Sequence, residues 1–172
     1  MKLLKQLKDA DFPYDHPDIE IRSAARAVLF DDKNFVPILF VSKHNYHKLP
    51  GGGIKPSEDK MKGLEREVLE EVGSNIKVSG EIGKIVEYRS KENFDWIYDL
   101  KQTSYCYLGK ITSKGTPKFT KTEINDGFQL IWLTLDQAIS VLSSDQPNNQ
   151  EGKFIRERDL TFLSAAKDLI VS

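Results

Sequence analysis

Three observations predict an α+β fold, a mixed sheet flanked by helices. Strand-like patterns rich in β-branched and aromatic residues come in two groups, over 19–41 and over 76–133. One strongly helical stretch at 57–73 separates them, and helical patterns close the chain. No alternating strand–helix series runs through it, which disfavours a doubly wound parallel sheet. The 172 residues, 39% hydrophobic and 30% charged, read as one globular domain over 1–172 with an N-terminal extension at 1–18. A chain this long hides roughly 70% of its unfolded surface.

The elements follow in order. Leucines at 3, 4 and 7 among lysines suggest a short amphipathic helix, docked on its own domain or on a second subunit. Residues 9–18, with Pro13 and Pro17, read as an extended connector. Two strands around a turn at 31–34 predict a hairpin over 19–41. Leu49-Pro-Gly-Gly-Gly-Ile54 reads as a glycine-rich loop. Over 57–73, Met61, Leu64, Val68 and Val72 recur at spacings of three and four and form one apolar stripe. Ser57 is the expected N-cap, with Glu58 and Asp59 at the positive end of the helix dipole, and Gly73 the expected stop. Strands are expected at 76–88 and 96–111, with bends or bulges at Gly80, Gly83 and Asn93, and again at 128–133. Thr134-Leu-Asp-Gln137 is a capping box that opens a short helix through about Leu142. A polar loop at 145–152 leads to a final helix at about 157–170, with Leu160, Leu163, Ala166 and Ile170 facing the core.

Charge and cysteine content narrow the function. With Lys+Arg 25 against Asp+Glu 26, the net charge of -1 disfavours a general nucleic-acid or anionic-membrane binder. No apolar run approaches the roughly 20 residues of a membrane span, and the lysine-interrupted start is not a signal peptide. The single cysteine, Cys106, forbids an internal disulfide and suggests a reducing cytoplasm. It sits in an apolar strand and is expected to be buried and inert.

Chemistry concentrates in one segment. At about 100° per residue, Glu67, Glu70 and Glu71 share a sector of the helix beside its apolar stripe. Each close pair costs a few tenths of a kcal/mol in an isolated helix. The helix alone leaves two readings open, a solvated acidic face or a site for a hard cation such as Mg²⁺ or Mn²⁺. Gly51, Gly52 and Gly53 permit close backbone approach and free amides, although a triple glycine by itself is better read as a plain turn.

Taken together, Gly52, five residues, Glu58, seven residues, then Arg66-Glu67-Val68-Leu69-Glu70-Glu71-Val72-Gly73 resemble the signature box of the Nudix hydrolases. Eight of nine defined positions over 52–74 agree; the ninth, a bulky aliphatic in the family, is Ser74 here, and Ile76 is placed to supply the missing apolar group. The resemblance implies an αβα sandwich and an enzyme: a divalent-metal-dependent pyrophosphohydrolase that cleaves a nucleoside diphosphate linked to another group by water attack on phosphorus. It implies Glu67 and Glu71 as principal metal ligands. Glu70 becomes a third ligand or a base acting through bound water, and Arg66 an orienting partner paired with Glu58. The loop before the second tryptophan offers Glu123 as base or extra ligand, with Asp126 second.

Arg22 and Arg26, in the strand before the box, are candidates to clamp phosphate oxygens beside Gly51, Gly52 and Gly53. Either is equally readable as an exposed strand residue. Tyr46, Phe94, Trp96 and Tyr98 are candidates for base stacking, a role that competes with ordinary core packing. His16, His44 and His47 show no metal-binding spacing. No proline follows the box at the place favoured by ADP-ribose-cleaving members, where Tyr88-Arg-Ser-Lys91 stands. A nucleotide-sensing module without turnover is the alternative, one that usually shows eroded box glutamates. A decapping enzyme would want a basic surface that the balanced charge does not offer. The family's frequent homodimers make a homodimer an expectation by analogy.

Overall fold

The computed structural model describes residues 1–14, 18–94 and 97–171. Strand β1 (Leu3–Lys8) is followed by β2 (Ile19–Phe30), β3 (Val36–Val41), β4 (Tyr46–Lys48), β5 (Gly51–Gly53) and helix α1 (Lys60–Val72). Then come β6 (Asn75–Arg89), α2 (Lys91–Phe94), β7 (Asp99–Ser113), α3 (Lys121–Asn125), β8 (Phe128–Leu133), α4 (Leu135–Ser144) and α5 (Gln150–Val171). The strands form a five-stranded mixed sheet in the order β1-β6-β7-β2-β5 and a three-stranded antiparallel sheet in the order β4-β3-β8.

Alternation along β2 explains the layers. Ala25, Ala27 and Leu29 face α1, whose Leu64, Val68 and Val72 complete that cluster. Val28 points the other way, into a larger core shared with Ile38, Cys106, Leu142, Phe162 and Leu163. The mixed sheet is thus covered by α1 on one face and by the small sheet, α4 and α5 on the other, the sandwich expected.

Several expectations needed correction. The first eight residues form no helix. They add a parallel strand to the edge of β6, with Leu7 buried. So short a segment cannot offset helix nucleation, whereas the β6 edge offers hydrogen bonds at once. A register shift between Leu3 and Lys5 breaks the alternation that would have signalled a strand. Gly83 accommodates Leu4 opposite, since a Cβ there would lie 2.5 Å from its Cγ.

The strands over 19–41 are not a ladder either. The turn is tight, with the Lys33 and Phe35 amides donating to Asp31 Oδ1 at 2.9 and 2.8 Å, but β2 and β3 leave it for different sheets. The chain turns a corner there.

Helix α1 is capped by Asp59, whose Oδ1 accepts from the Met61 and Lys62 amides at 2.9 and 3.2 Å. Ser57 has a φ of 63° and lies outside the helix. Gly73 ends α1 in the left-handed conformation, as expected, and Ser74 is buried beside Ile76 of the α1 cluster. The last helix begins at Gln150, in the stretch read as loop. Gly152, a poor helix former, is what lets that first turn press against Tyr46, since a Cβ would lie 2.6 Å from the ring. Leu163 and Ala166 face the core, but Ile170 is 51% exposed. The capping box at Thr134, the bulges at Gly80 and Gly83 and the burial of Cys106 agree with expectation. Phe94 is a core residue. Asn93 falls in α2 rather than in a strand bend. His16, Pro17 and Trp96 lie outside the described residues.

Candidate active site

The site begins with how tightly the triple glycine holds to its neighbours. Gly51–Gly53 is a strand, paired antiparallel with Ala24–Arg26 of β2, and so not a free loop. Gly51 has a φ of 123°, and a Cβ on it would lie 2.1 Å from the Ala25 carbonyl oxygen. A Cβ on Gly52 would lie 2.2 Å from Glu67 Oε2. Only glycine lets the carboxylate of α1 settle onto this strand. The Gly51 amide, expected to be free, donates to Glu71 Oε2 at 2.6 Å.

Arg66 locks the outer side. It pairs bidentately with Glu58, Nε to Oε1 at 2.9 Å and Nη2 to Oε2 at 3.0 Å. It also donates to the Gly53 carbonyl at 3.2 Å and to Glu67 Oε1 at 2.6 Å. Hydrogen bonds from Arg66 and then the Lys55 amide hold the Glu58 pKa down at about 2, and the same contact raises that of Arg66.

Inside, Glu71 is buried, and burial pushes its pKa up. The Lys48 ammonium, 2.5 Å from Oε1, and the Gly51 amide oppose that push. Among the described residues no three His, Cys, Asp or Glu side chains close on one point. Arg66 holds Glu67 and Lys48 holds Glu71.

A cavity of about 370 Å³ opens between these groups, lined by Arg26, Lys48, Glu67, Glu71, Glu123 and Asp126, among others. Arg26 is 7% exposed, and its Nε and Nη1 have no hydrogen-bond partner. Burial first, and the nearby Arg158 second, push its pKa down. A buried guanidinium with two unmet donors is costly to a fold and suits an anion. Behind it lies a buried ionic network. Asp159 accepts from Arg158 Nε at 2.7 Å and from the Leu49 amide at 2.9 Å, and Arg158 reaches Glu87 at 3.4 Å. Asp159 thereby fixes the strand end from which Gly51 departs.

The residues singled out by sequence divide into groups. Arg26, Gly51, Gly52, Glu67, Glu71 and Glu123 meet at the cavity. Glu70 lies outside its lining, 41% exposed and 3.7 Å from Arg66 Nη1. Arg22 and Gly53 line an adjoining groove of about 710 Å³ with Lys55 and Lys60, and Arg22 pairs loosely with Glu20 at 3.8 Å. Glu123 already has a structural bond, accepting the Thr120 amide at 2.6 Å in a capping box on α3. Asp126 pairs with Lys43 at 2.8 Å.

Lys48, Arg158, Asp159 and Glu87 were missed. Tyr46-His-Lys48 alternates as a strand does, which places Lys48 on one face with Tyr46, but nothing local tells that this face is the cavity. The Thr120-x-x-Glu123 box was legible and overlooked.

The model of the NUDIX domain matches residues 20–157, most of the chain. The chain belongs to the Nudix family. This chain is an enzyme, a hydrolase of acid anhydrides; Nudix hydrolases generally need divalent metal ions and act on small molecules. It is 28% identical over 133 residues to diphosphoinositol polyphosphate phosphohydrolase 3-beta of Bos taurus, covering 76% of this chain and 74% of the other. In structure it resembles the MutT protein from Methanosarcina mazei Go1, with a TM-score of 0.58 at 16% identity over 90% of this chain and 99% of that one. A UDP-X diphosphatase gives 0.55 at 16% identity over 87% of this chain, which spans 64% of that longer protein. Identities this low speak for the fold alone. Among the described residues, no helix of this Nudix chain is long and apolar enough to cross a membrane.

Proposed function

We propose that this Nudix chain hydrolyses the pyrophosphate bond of a nucleoside diphosphate linked to a second group, using Mg²⁺ or Mn²⁺. The observation that carries the reading is Arg26, whose two unpartnered donors line the same cavity as Glu67 and Glu71. The donor set fits a hard cation. Two carboxylates one helical turn apart meet a strand where a single added Cβ would fill the space against Glu67.

Glu67 and Glu71 would hold the ion, with Glu70 beside them on the open side. When bound, such an ion screens phosphate charge and lowers the pKa of water. The chain's own groups do the rest. Arg26 donates from Nε and Nη1 to phosphate oxygens, where charge grows as the water oxygen bonds to phosphorus and the bridging oxygen–phosphorus bond breaks. Arg66 keeps Glu67 and Glu58 aligned on the glycine strand. Glu123 accepts the proton of the attacking water, releasing the Thr120 amide to do so.

A second reading has its own support. Arg22, Lys55 and Lys60 line the adjoining groove, and among the described residues no aromatic side chain lines it. Against Glu20 and Glu58 in the same lining, the three cations leave the groove positive and without a stacking ring, which suits a phosphate-rich ring better than a base. The similarity to diphosphoinositol polyphosphate phosphohydrolases points the same way.

The test is a panel of nucleoside di- and triphosphates, ADP-ribose, UDP-sugars, dinucleoside polyphosphates and diphosphoinositol polyphosphates with Mg²⁺ or Mn²⁺. Products are resolved as phosphate, pyrophosphate and nucleoside monophosphate. Nucleoside monophosphate release as the fastest reaction supports the first reading. Preferred removal of the β-phosphate from a diphosphoinositol supports the second.

A further inference from the structure

Lys48 stands out because the family signature does not include its position and because of what it touches. It sits two residues before Pro50, at the end of β4, with its side chain 10% exposed. Its ammonium lies 2.5 Å from Glu71 Oε1 and 3.5 Å from the Gly51 carbonyl, 5.1 Å above the Phe128 ring. Glu71 is buried, and its other oxygen is taken by the Gly51 amide. The ammonium therefore supplies the positive charge next to Glu71 Oε1. That is the contact a divalent ion on Glu71 would require.

A divalent ion on Glu71 Oε1 would repel the Lys48 ammonium at this distance and compete with it for the same oxygen. Lys48 is suited to give way. It hangs on a flexible four-carbon stem and presents a point charge with three rotatable donors, unlike a planar arginine fork. The cavity it lines is the one lined by Arg26, whose Nε and Nη1 are unpartnered. A phosphate drawn there meets a second donor in the released ammonium.

We propose that Lys48 is a resident counter-ion of Glu71 that a divalent ion displaces, and that the displaced ammonium then binds a phosphate oxygen of the substrate. The proposal rests on the reading of Glu71 as a metal ligand. Its consequence is coupling: the ion is admitted against a standing competitor, and its entry readies the cavity for an anion.

The test is Mn²⁺ binding, followed by the electron paramagnetic resonance of free Mn²⁺, together with KM for the best substrate at saturating Mn²⁺. Lys48→Met should bind Mn²⁺ about 10-fold tighter than the parent and show a KM raised about 10-fold. Lys48→Arg keeps the charge and the fold but grips Glu71 with a fork, so it should bind Mn²⁺ several-fold more weakly. Unchanged or weaker Mn²⁺ binding by Lys48→Met overturns the proposal, as does tighter binding with an unchanged KM. If Lys48→Met does not fold, Lys48→Arg decides, and parental or tighter Mn²⁺ binding by it overturns the proposal. Glu71→Gln separates the two levels. If it binds Mn²⁺ like the parent, the metal-ligand reading fails, whereas a weakened Glu71→Gln beside a parental Lys48→Met leaves that reading intact and removes only the role of Lys48.

Discussion

Arg26 and Glu71 carry buried charges that burial works against, which is a common mark of groups kept for chemistry. Burial lowers the pKa of the arginine and raises that of the glutamate, so in each case the charged form is the disfavoured one. Arg26→Met should therefore leave the melting temperature unchanged or raise it, since a buried cation with two unmet donors is removed. The same variant should lower kcat/KM by about 10²-fold, the scale for losing a donor to a developing oxyanion. Thermal melts and steady-state kinetics on one preparation check both halves. Glu71→Gln is nearly isosteric and should keep the fold while losing about 10²-fold or more in turnover. Parental turnover by Glu71→Gln would remove that residue from the reaction.

At the scale of elements, the pairing of β5 with β2 and α1 makes Gly52 the point where the strand meets the Glu67 carboxylate. Gly52→Ala puts a Cβ 2.2 Å from the Glu67 carboxylate, the end of a flexible side chain, so that carboxylate must swing off the strand. The fold should lose less than about 1 kcal/mol, while Mn²⁺ affinity should fall because Glu67 is displaced. Urea unfolding and metal titration of the alanine variant measure both.

Much of this element was legible. The stripe Met61, Leu64, Val68 and Val72, the stop at Gly73 and the placing of Glu67 and Glu71 one turn apart follow from helical geometry alone. What was not legible depended on distant partners. The strand character of Leu3–Lys8 comes from an edge some 80 residues on, and a register shift hides its alternation. The triple glycine looked like loop because glycine disfavours strands. Here strand pairing is forced by the close approach of Ala25 and Glu67. The start of α5 was masked by Gly152, whose missing side chain serves the contact with Tyr46.

At the scale of the whole molecule, the two sheets and α5 enclose an ionic network that no local pattern reveals, because burial of Glu87, Arg89, Arg158 and Asp159 depends on how the layers stack. Burial works against ionisation of Glu87, but Arg89 at 2.5 Å and Arg158 outweigh it and hold its pKa at about 2. That lies below the ordinary value of 4.5. A depressed carboxylate pKa contributes stability that is present above about pH 4.5 and is lost as pH falls toward 2. Denaturant titrations should show a loss on the order of a few kcal/mol across that window. Glu87→Gln should start less stable and lose less over the same range, because Arg89 and Arg158 each lose one of their counter-charges at every pH. The same network fixes Leu49 through Asp159, and so carries the glycine strand and Glu71 with it.

The central claim is that this assembly splits a pyrophosphate bond by means of a divalent ion held on α1. Turnover of the best panel substrate, followed through chelation and readdition of metal, tests it most directly. Activity should fall to background with excess chelator and return in full on titration with Mg²⁺ or Mn²⁺, while the fold persists throughout. Undiminished turnover in the chelator would contradict the claim.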